Sequence, residues 1–137
     1  MTMECSLIYV SRVEIDRERM DDEIASIIAW ADHYNSTVGI TGGLVRAQGW
    51  FAQLLEGSTE AVGTLMTKIK RDQRHSDVTV LRVTAQRTRR LGRWSLAYAG
   101  DWHYMADIIG NLIDPSILSD QHDIDYLEQT IVDFASA

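Results

Sequence analysis

Tyr9, Asn35, Gln53 and the run Asp72-Gln-Arg74-His75 are the residues whose types and spacing could do chemistry in this chain. Gln53 lies in an extended run from Trp50 to Leu55. Side chains alternate along a strand, so Phe51, Gln53 and Leu55 share one face while Ala52, Leu54 and Glu56 share the other. An amide between two large apolar neighbours costs about 1–3 kcal/mol if it is buried without a partner. Leu7, Tyr9 and Ser11 share a face in the same way, and if their strand lies beside that of Gln53, phenol and carboxamide can form a hydrogen bond. Taken alone, that is a satisfied core pair. Asn35, Asp72, Arg74 and His75, at the ends of two helical segments, border the same cleft. A flat heteroaromatic ring with imide edges would suit it, with Asn35 and Gln53 reading the edge and Ile27, Phe51 and Ile69 against the faces.

The elements that must position these groups can be read from hydrophobic spacing. Leu7–Arg12 is a β-favouring run. Met20, Ile24, Ile27, Ile28, Ala31 and Tyr34 recur as one helical stripe, with Asp21, Asp22 and Glu23 in the first turn, where they complement the helix dipole. The helix is expected to end near Tyr34 or Asn35, because Ser36-Thr37-Val38-Gly39 is poor helix material. Gly42 and Gly43 open a strand to Gln48, and Gly49 supplies the turn into the next. Gly57-Ser58 offers an N-cap to a second helix with Val62, Leu65, Met66 and Ile69 on its apolar stripe, which stops at Arg71–His75. Val78–Ala85 and Trp94–Ala99 read as the last two strands, with Arg87–Arg93 a loop between them.

This order predicts an α+β fold: a ferredoxin-like sandwich with a five-stranded mixed sheet and two helices on one face. The tail supplies a cover for the other face. Met105, Ile108, Ile109 and Leu112 form one stripe, Pro115 breaks it, and Ile124, Leu127, Ile131 and Phe134 form another. These stripes read as core, with a surface for a homo-oligomer as the alternative.

A chain of 137 residues makes one ordinary domain with appended elements. No apolar run reaches the ~20 residues needed to span a bilayer, and the N-terminus lacks a signal-peptide pattern, so the expected location is cytoplasmic with no membrane partner. Cys5 is the only cysteine, which excludes an intrachain disulfide and the Cys-rich zinc patterns. A net charge of −7 and a pI near 4.9 argue against nucleic acid as a partner. The local cluster Arg87, Arg89, Arg90 and Arg93 is read as a solvated loop ahead of an anion-binding patch. His33, His75, His103 and His122 have no metal-ligand spacing. Asp120, Asp123 and Asp125 lack the glycine and terminal glutamate of a calcium loop and read as a helix-capping turn.

The segments Leu7-Ile-Tyr-Val-Ser11, Asn35 followed by Ile40-Thr41-Gly42, Phe51-Ala-Gln53-Leu-Leu-Glu56-Gly57, Asp72-Gln-Arg-His75 and Trp94-Ser-Leu96 closely resemble, in order and in register, the BLUF domain, the blue-light sensor that uses flavin. The resemblance implies a noncovalent FAD, with FMN as the alternative, between the two helices. It implies that Tyr9 is the photoactive tyrosine, that Gln53 bridges it to the flavin and that Asn35 binds the ring edge. Asp72, Arg74 and His75 match a region around the ring and its ribityl chain. Tyr34, where the family varies, is counted with these cofactor-binding positions. Trp94 and Leu96 match signalling positions on the last strand. The family usually carries methionine where this chain has Leu96, a departure that bears on the output step more than on the photochemistry.

The expected function is therefore a blue-light photoreceptor without enzymatic activity. Residues 1–99 form the flavin-binding photosensory domain, and residues 100–137 a C-terminal helical extension that passes the signal to a separate effector protein. The alternative is a flavin-free ferredoxin-like interaction module in which Tyr9 and Gln53 are a satisfied core pair.

Overall fold

The computed structural model describes residues 3–86, 88–92, 95–100, 102–114, 116–117 and 120–136. The fold is built around strand β1, Glu4–Val13, which is buried from Cys5 to Ser11. Strands β2 (Thr41–Ala47) and β3 (Trp50–Ser58) form the hairpin, β4 spans His75–Gln86 and β5 spans Ala97–Ala99. The sheet order is β4-β1-β3-β2-β5, antiparallel except for the β2–β5 pair. This is the expected ferredoxin-like arrangement: β1 and β3 are neighbours because each helix carries the chain across one intervening strand.

Helices α1 (Met20–Val38) and α2 (Thr59–Arg71) cover one face. α1 runs one turn past its expected end. The reason is local: Ser36 and Thr37 turn their hydroxyls back to the carbonyls of His33 and Tyr34, and the stop falls to Gly39, whose φ of 73° suits glycine. Asn35 thereby sits inside the last turns of the helix, fully buried. α2 starts as expected, with the Ser58 hydroxyl accepting from the Ala61 N–H at 3.0 Å. In the hairpin turn the left-handed residue is Gln48 (φ 57°) rather than Gly49.

The far face is covered by α3 (Ala106–Ile113) and α4 (Gln121–Ala135). Ile8, Val10, Val45, Ala52 and Leu54 from the sheet pack there with Ile109, Leu127 and Ile131. α4 sits so close to β2 that a Cβ at Gly43 would lie 2.7 Å from Ile131 Cγ2. Asp120 caps α4 by accepting from the His122 N–H, as the acidic-turn reading expects. Pro115 and Trp94 lie outside the described residues.

The connection from β4 to β5 is not simply solvated. Arg89 pairs with Glu4 at 2.5 Å and donates to Thr41 Oγ1 and to the Gly39 carbonyl, while Arg90 reaches Glu128 on α4 at 3.2 Å. The loop backbone is held by Glu56, which is fully buried. Its carboxylate accepts from the Arg90 and Leu91 N–H groups, from Thr41 Oγ1 and from Gln86 Nε2. The solvated-loop expectation is corrected for Arg89 and Arg90, which tie the loop to β1, α1 and α4. Arg87 and Arg93 lie outside the described residues. Among the described residues no helix is long and apolar enough to cross a membrane, and no cluster of metal-ligating side chains occurs.

Candidate functional site

The register of β1 and β3 sets Tyr9 directly opposite Gln53, both facing α1 and α2. The phenol donates to Gln53 Oε1 at 2.5 Å, and Tyr9 and Gln53 are 3% and 5% exposed. Two register shifts between β1 and β4 bracket Tyr9 and Val10, a local distortion of the kind that re-aims side chains. Burial is the main cause that pushes the Tyr9 phenol well above its ordinary value, with the Asp72 carboxylate adding to it. Tyr9 therefore remains a neutral hydrogen-bond donor at physiological pH.

Above this pair a cavity of about 380 Å³ opens between the two helices. Its lining includes Tyr9, Ile27, Asn35, Phe51, Gln53, Ile69, Asp72, Arg74 and His75, so nine of the ten expected ring-binding positions meet in one place. Tyr34 does not line the cavity; it stands behind Trp30, stacked on it at 4.9 Å. Spacing along α1 did not single out Trp30, which lines the slot in its stead, nor did spacing along α2 single out Lys68; each lies one helical turn on from an apolar residue that also lines the cavity, Ile27 and Leu65.

Each polar group has a defined state. Asn35 donates through Nδ2 to the Ser95 carbonyl at 2.9 Å, while its Oδ1 is buried with no hydrogen-bond partner. With Oε1 taken by Tyr9, the NH₂ of Gln53 is its remaining polar edge, and no hydrogen bond engages it among the described residues. His75 places Nε2 2.6 Å from the Ile69 carbonyl, which can only accept, so Nε2 carries a proton; Nδ1 lies 2.8 Å from the Ser11 hydroxyl. Asp72 holds Arg74 through both carboxylate oxygens, and Arg74 reaches Glu23 of α1 at 3.8 Å. The hydrogen bonds from Arg74 keep the Asp72 carboxyl below its usual value. Leu96 lies in the apolar group of Phe51, Leu44 and Ala31 against the same face.

A five-stranded α+β sandwich with a slot between its helices, floored by a phenol–carboxamide pair, defines a binding domain suited to a flat, polar-edged ring. A family model described as "BLUF: Sensors of blue-light using FAD" matches residues 5–97, and the chain belongs to this family. It is 34% identical over 97 residues to photoactivated adenylate cyclase subunit beta of Euglena gracilis, a match covering 71% of this chain but 10% of that protein. Among solved structures it is similar to BlrB, a BLUF protein in its dark state, at a TM-score of 0.79 and 28% identity, with 98% of both chains covered. The photo-activated state of BlsA is equally similar, at a TM-score of 0.79 and 27% identity with 95% of both chains covered. A bacterial light-regulated adenylyl cyclase aligns with 96% of this chain, at 27% identity and a TM-score of 0.67, over 35% of its own length.

The chain is thus a blue-light sensor of the family that uses FAD, and the flavin-free interaction module is not favoured. The residues present fit that group. The unfilled acceptor Asn35 Oδ1 and the NH₂ edge of Gln53 are complementary to an imide edge with its N–H and carbonyls, and Ile27, Phe51 and Ile69 are apolar walls for the ring.

Proposed function

We propose that Tyr9 and Gln53 are the photochemical pair, and that Asn35, Ile27, Phe51, Ile69, Asp72, Arg74 and His75 hold the flavin. The observation that carries this reading is the bond from Tyr9 Oη to Gln53 Oε1, made at the base of the slot by a phenol that burial keeps protonated. When bound, the flavin absorbs blue light and its excited state is a strong one-electron oxidant. Tyr9 is the readily oxidised side chain beside it, and its phenolic proton has one exit, along the bond to Gln53 Oε1. A carboxamide carries donor and acceptor on one rotatable group, so proton movement through Gln53 leaves it flipped or tautomerised once Tyr9 is restored. No covalent bond is made, and the dark arrangement returns thermally.

Output runs through Asn35 and Leu96. The bond from Asn35 Nδ2 to the Ser95 carbonyl ties the slot to the chain entering β5, and Leu96 lies beside Gly42 of β2, the strand on which α4 is seated. A rearranged hydrogen bond is worth about 0.5–1.5 kcal/mol net. That biases a two-state element several-fold, and the element proposed is the seating of α3 and α4 on the sheet. Trp94, outside the described residues, is assigned to this route by the family resemblance alone. Leucine at 96 keeps the volume of the family's usual methionine and gives up sulfur's polarizability.

The same reading takes residues 1–99 as the photosensory unit and residues 100–137 as its output extension, acting in the cytoplasm on a separate effector rather than through catalysis. Support comes from the family match ending at residue 97 and from likeness to BlrB over 98% of both chains. Purified protein is expected to be yellow, with a structured blue band that shifts reversibly to the red under blue light. Colourless protein, or a static spectrum, would contradict the proposal.

A further inference from the structure

The mouth of the slot carries side chains that the photochemistry does not use. Trp30 lines the cavity although it is 46% exposed, and it is stacked on Tyr34 with ring planes only 10° apart. Across the cleft, the Lys68 ammonium lies 5.6 Å from the Tyr34 ring centroid. Lys68 and Arg71 also line the cavity, and neither has an ion-pair partner among the described residues. Arg74, by contrast, is committed to Asp72 and Glu23. Two cations without an ion-pair partner among the described residues, beside a half-exposed indole in a chain of net charge −7, form a local site of the opposite sign to the chain's net charge.

We propose that Trp30, Lys68 and Arg71 form a site for the nucleotide tail of the flavin, with Lys68 and Arg71 on its phosphates and Trp30 as a stacking shelf for its adenine. The inference rests on the reading of the slot as the ring site. With the polar ring edge at Asn35 and Gln53, the chain beyond the ring leaves by the mouth, where these three side chains stand. Arginine pairs with phosphate through a planar fork and lysine as a point charge, so the two together suit a diphosphate. Stacking a base on an aromatic side chain changes affinity by roughly 5- to 150-fold. The tail site therefore makes this chain select FAD over FMN, and FMN over riboflavin.

The test is titration of flavin-free protein with riboflavin, FMN and FAD, followed by quenching of flavin fluorescence at low and raised salt. The wild type is expected to bind in the order FAD, FMN, riboflavin, with salt weakening the two phosphorylated flavins only. Lys68→Gln with Arg71→Gln is expected to bring FMN down to the level of riboflavin and remove the salt dependence. Trp30→Leu is expected to lower FAD about tenfold towards FMN and leave FMN and riboflavin unchanged, whereas Trp30→Phe keeps most of the preference for FAD. Equal affinity of the wild type for all three flavins would overturn the tail site and leave the ring site intact. Wild type that fails to bind riboflavin at all would remove the ring site and the inference with it. A loss shared equally by the three flavins in the variants would show a structural role only and would also overturn the proposal.

Discussion

Asn35 and Ser95 are joined across 60 residues of sequence by one hydrogen bond, from the Asn35 amide to the Ser95 carbonyl, while the other end of the same amide is buried without a partner. One side chain thus faces the slot with an open acceptor and grips the segment entering β5 with its donor. Replacing it by aspartate sets carboxylate against carbonyl. Asn35→Asp is expected to lose about 1–3 kcal/mol of stability and to bind flavin more weakly, whereas Asn35→Ala loses flavin affinity at a smaller cost in stability. Denaturant unfolding with and without flavin checks both, and wild-type behaviour of Asn35→Asp would remove Asn35 from the site.

Glu56 organises the loop before β5. Four donors converge on its buried carboxylate, two of them backbone N–H groups of Arg90 and Leu91. Glu56→Ala leaves these donors unsatisfied and is expected to cost upwards of about 3 kcal/mol, with Glu56→Gln intermediate. Thermal unfolding of the two variants measures the order.

The alkaline limb of stability reports Tyr9. Its folded-state value lies above the ordinary phenol value of 10.0 because burial disfavours the phenolate. The stability tied to the neutral phenol is fully present below pH 10 and is lost as pH rises through the folded value, because above pH 10 the unfolded chain releases the proton first. Tyr9→Phe is expected to flatten the decline above pH 10, measured by denaturant midpoints across the alkaline range. Asp72 acts at the other end. Held below its usual value by Arg74, it contributes above the unfolded value near 3.8, and that contribution is lost as pH falls through the folded one.

Gly43 tests the seating of the tail. A methyl group there would press on Ile131 Cγ2, so Gly43→Ala is expected to cost about 1–3 kcal/mol and raise hydrogen exchange across α4. In the wild type, exchange across α3 and α4 is expected to differ between light and dark. Identical exchange in both states would remove the proposed output route.

Much of this was legible because the sheet and helix periods are simple. Alternation assigned Phe51, Gln53 and Leu55 to the helix-covered face and Ala52 and Leu54 to the other, as they pack, and the stripes on α1 and α2 placed Ile27 and Ile69 on the cleft. The end of α1 was not legible, because Ser36 and Thr37 lend their hydroxyls to the helix that their propensities disfavour. Arg89 and Arg90 read as solvent-facing because their partners Glu4 and Glu128 lie 85 and 38 residues away, a pairing fixed only by the tertiary fold. Tyr34 and Trp30 differ by one turn of α1, and which of them meets the slot depends on the tilt of the helix rather than on spacing.

The central claim is that Gln53, held by Tyr9, stores the arrival of light as a changed hydrogen-bond arrangement. The most direct measurement is the light-minus-dark absorption spectrum of purified Gln53→Leu and Tyr9→Phe, each with flavin bound. Both are expected to stay yellow and to lose the reversible red shift seen in the wild type. A shift that persists in either variant would contradict the account.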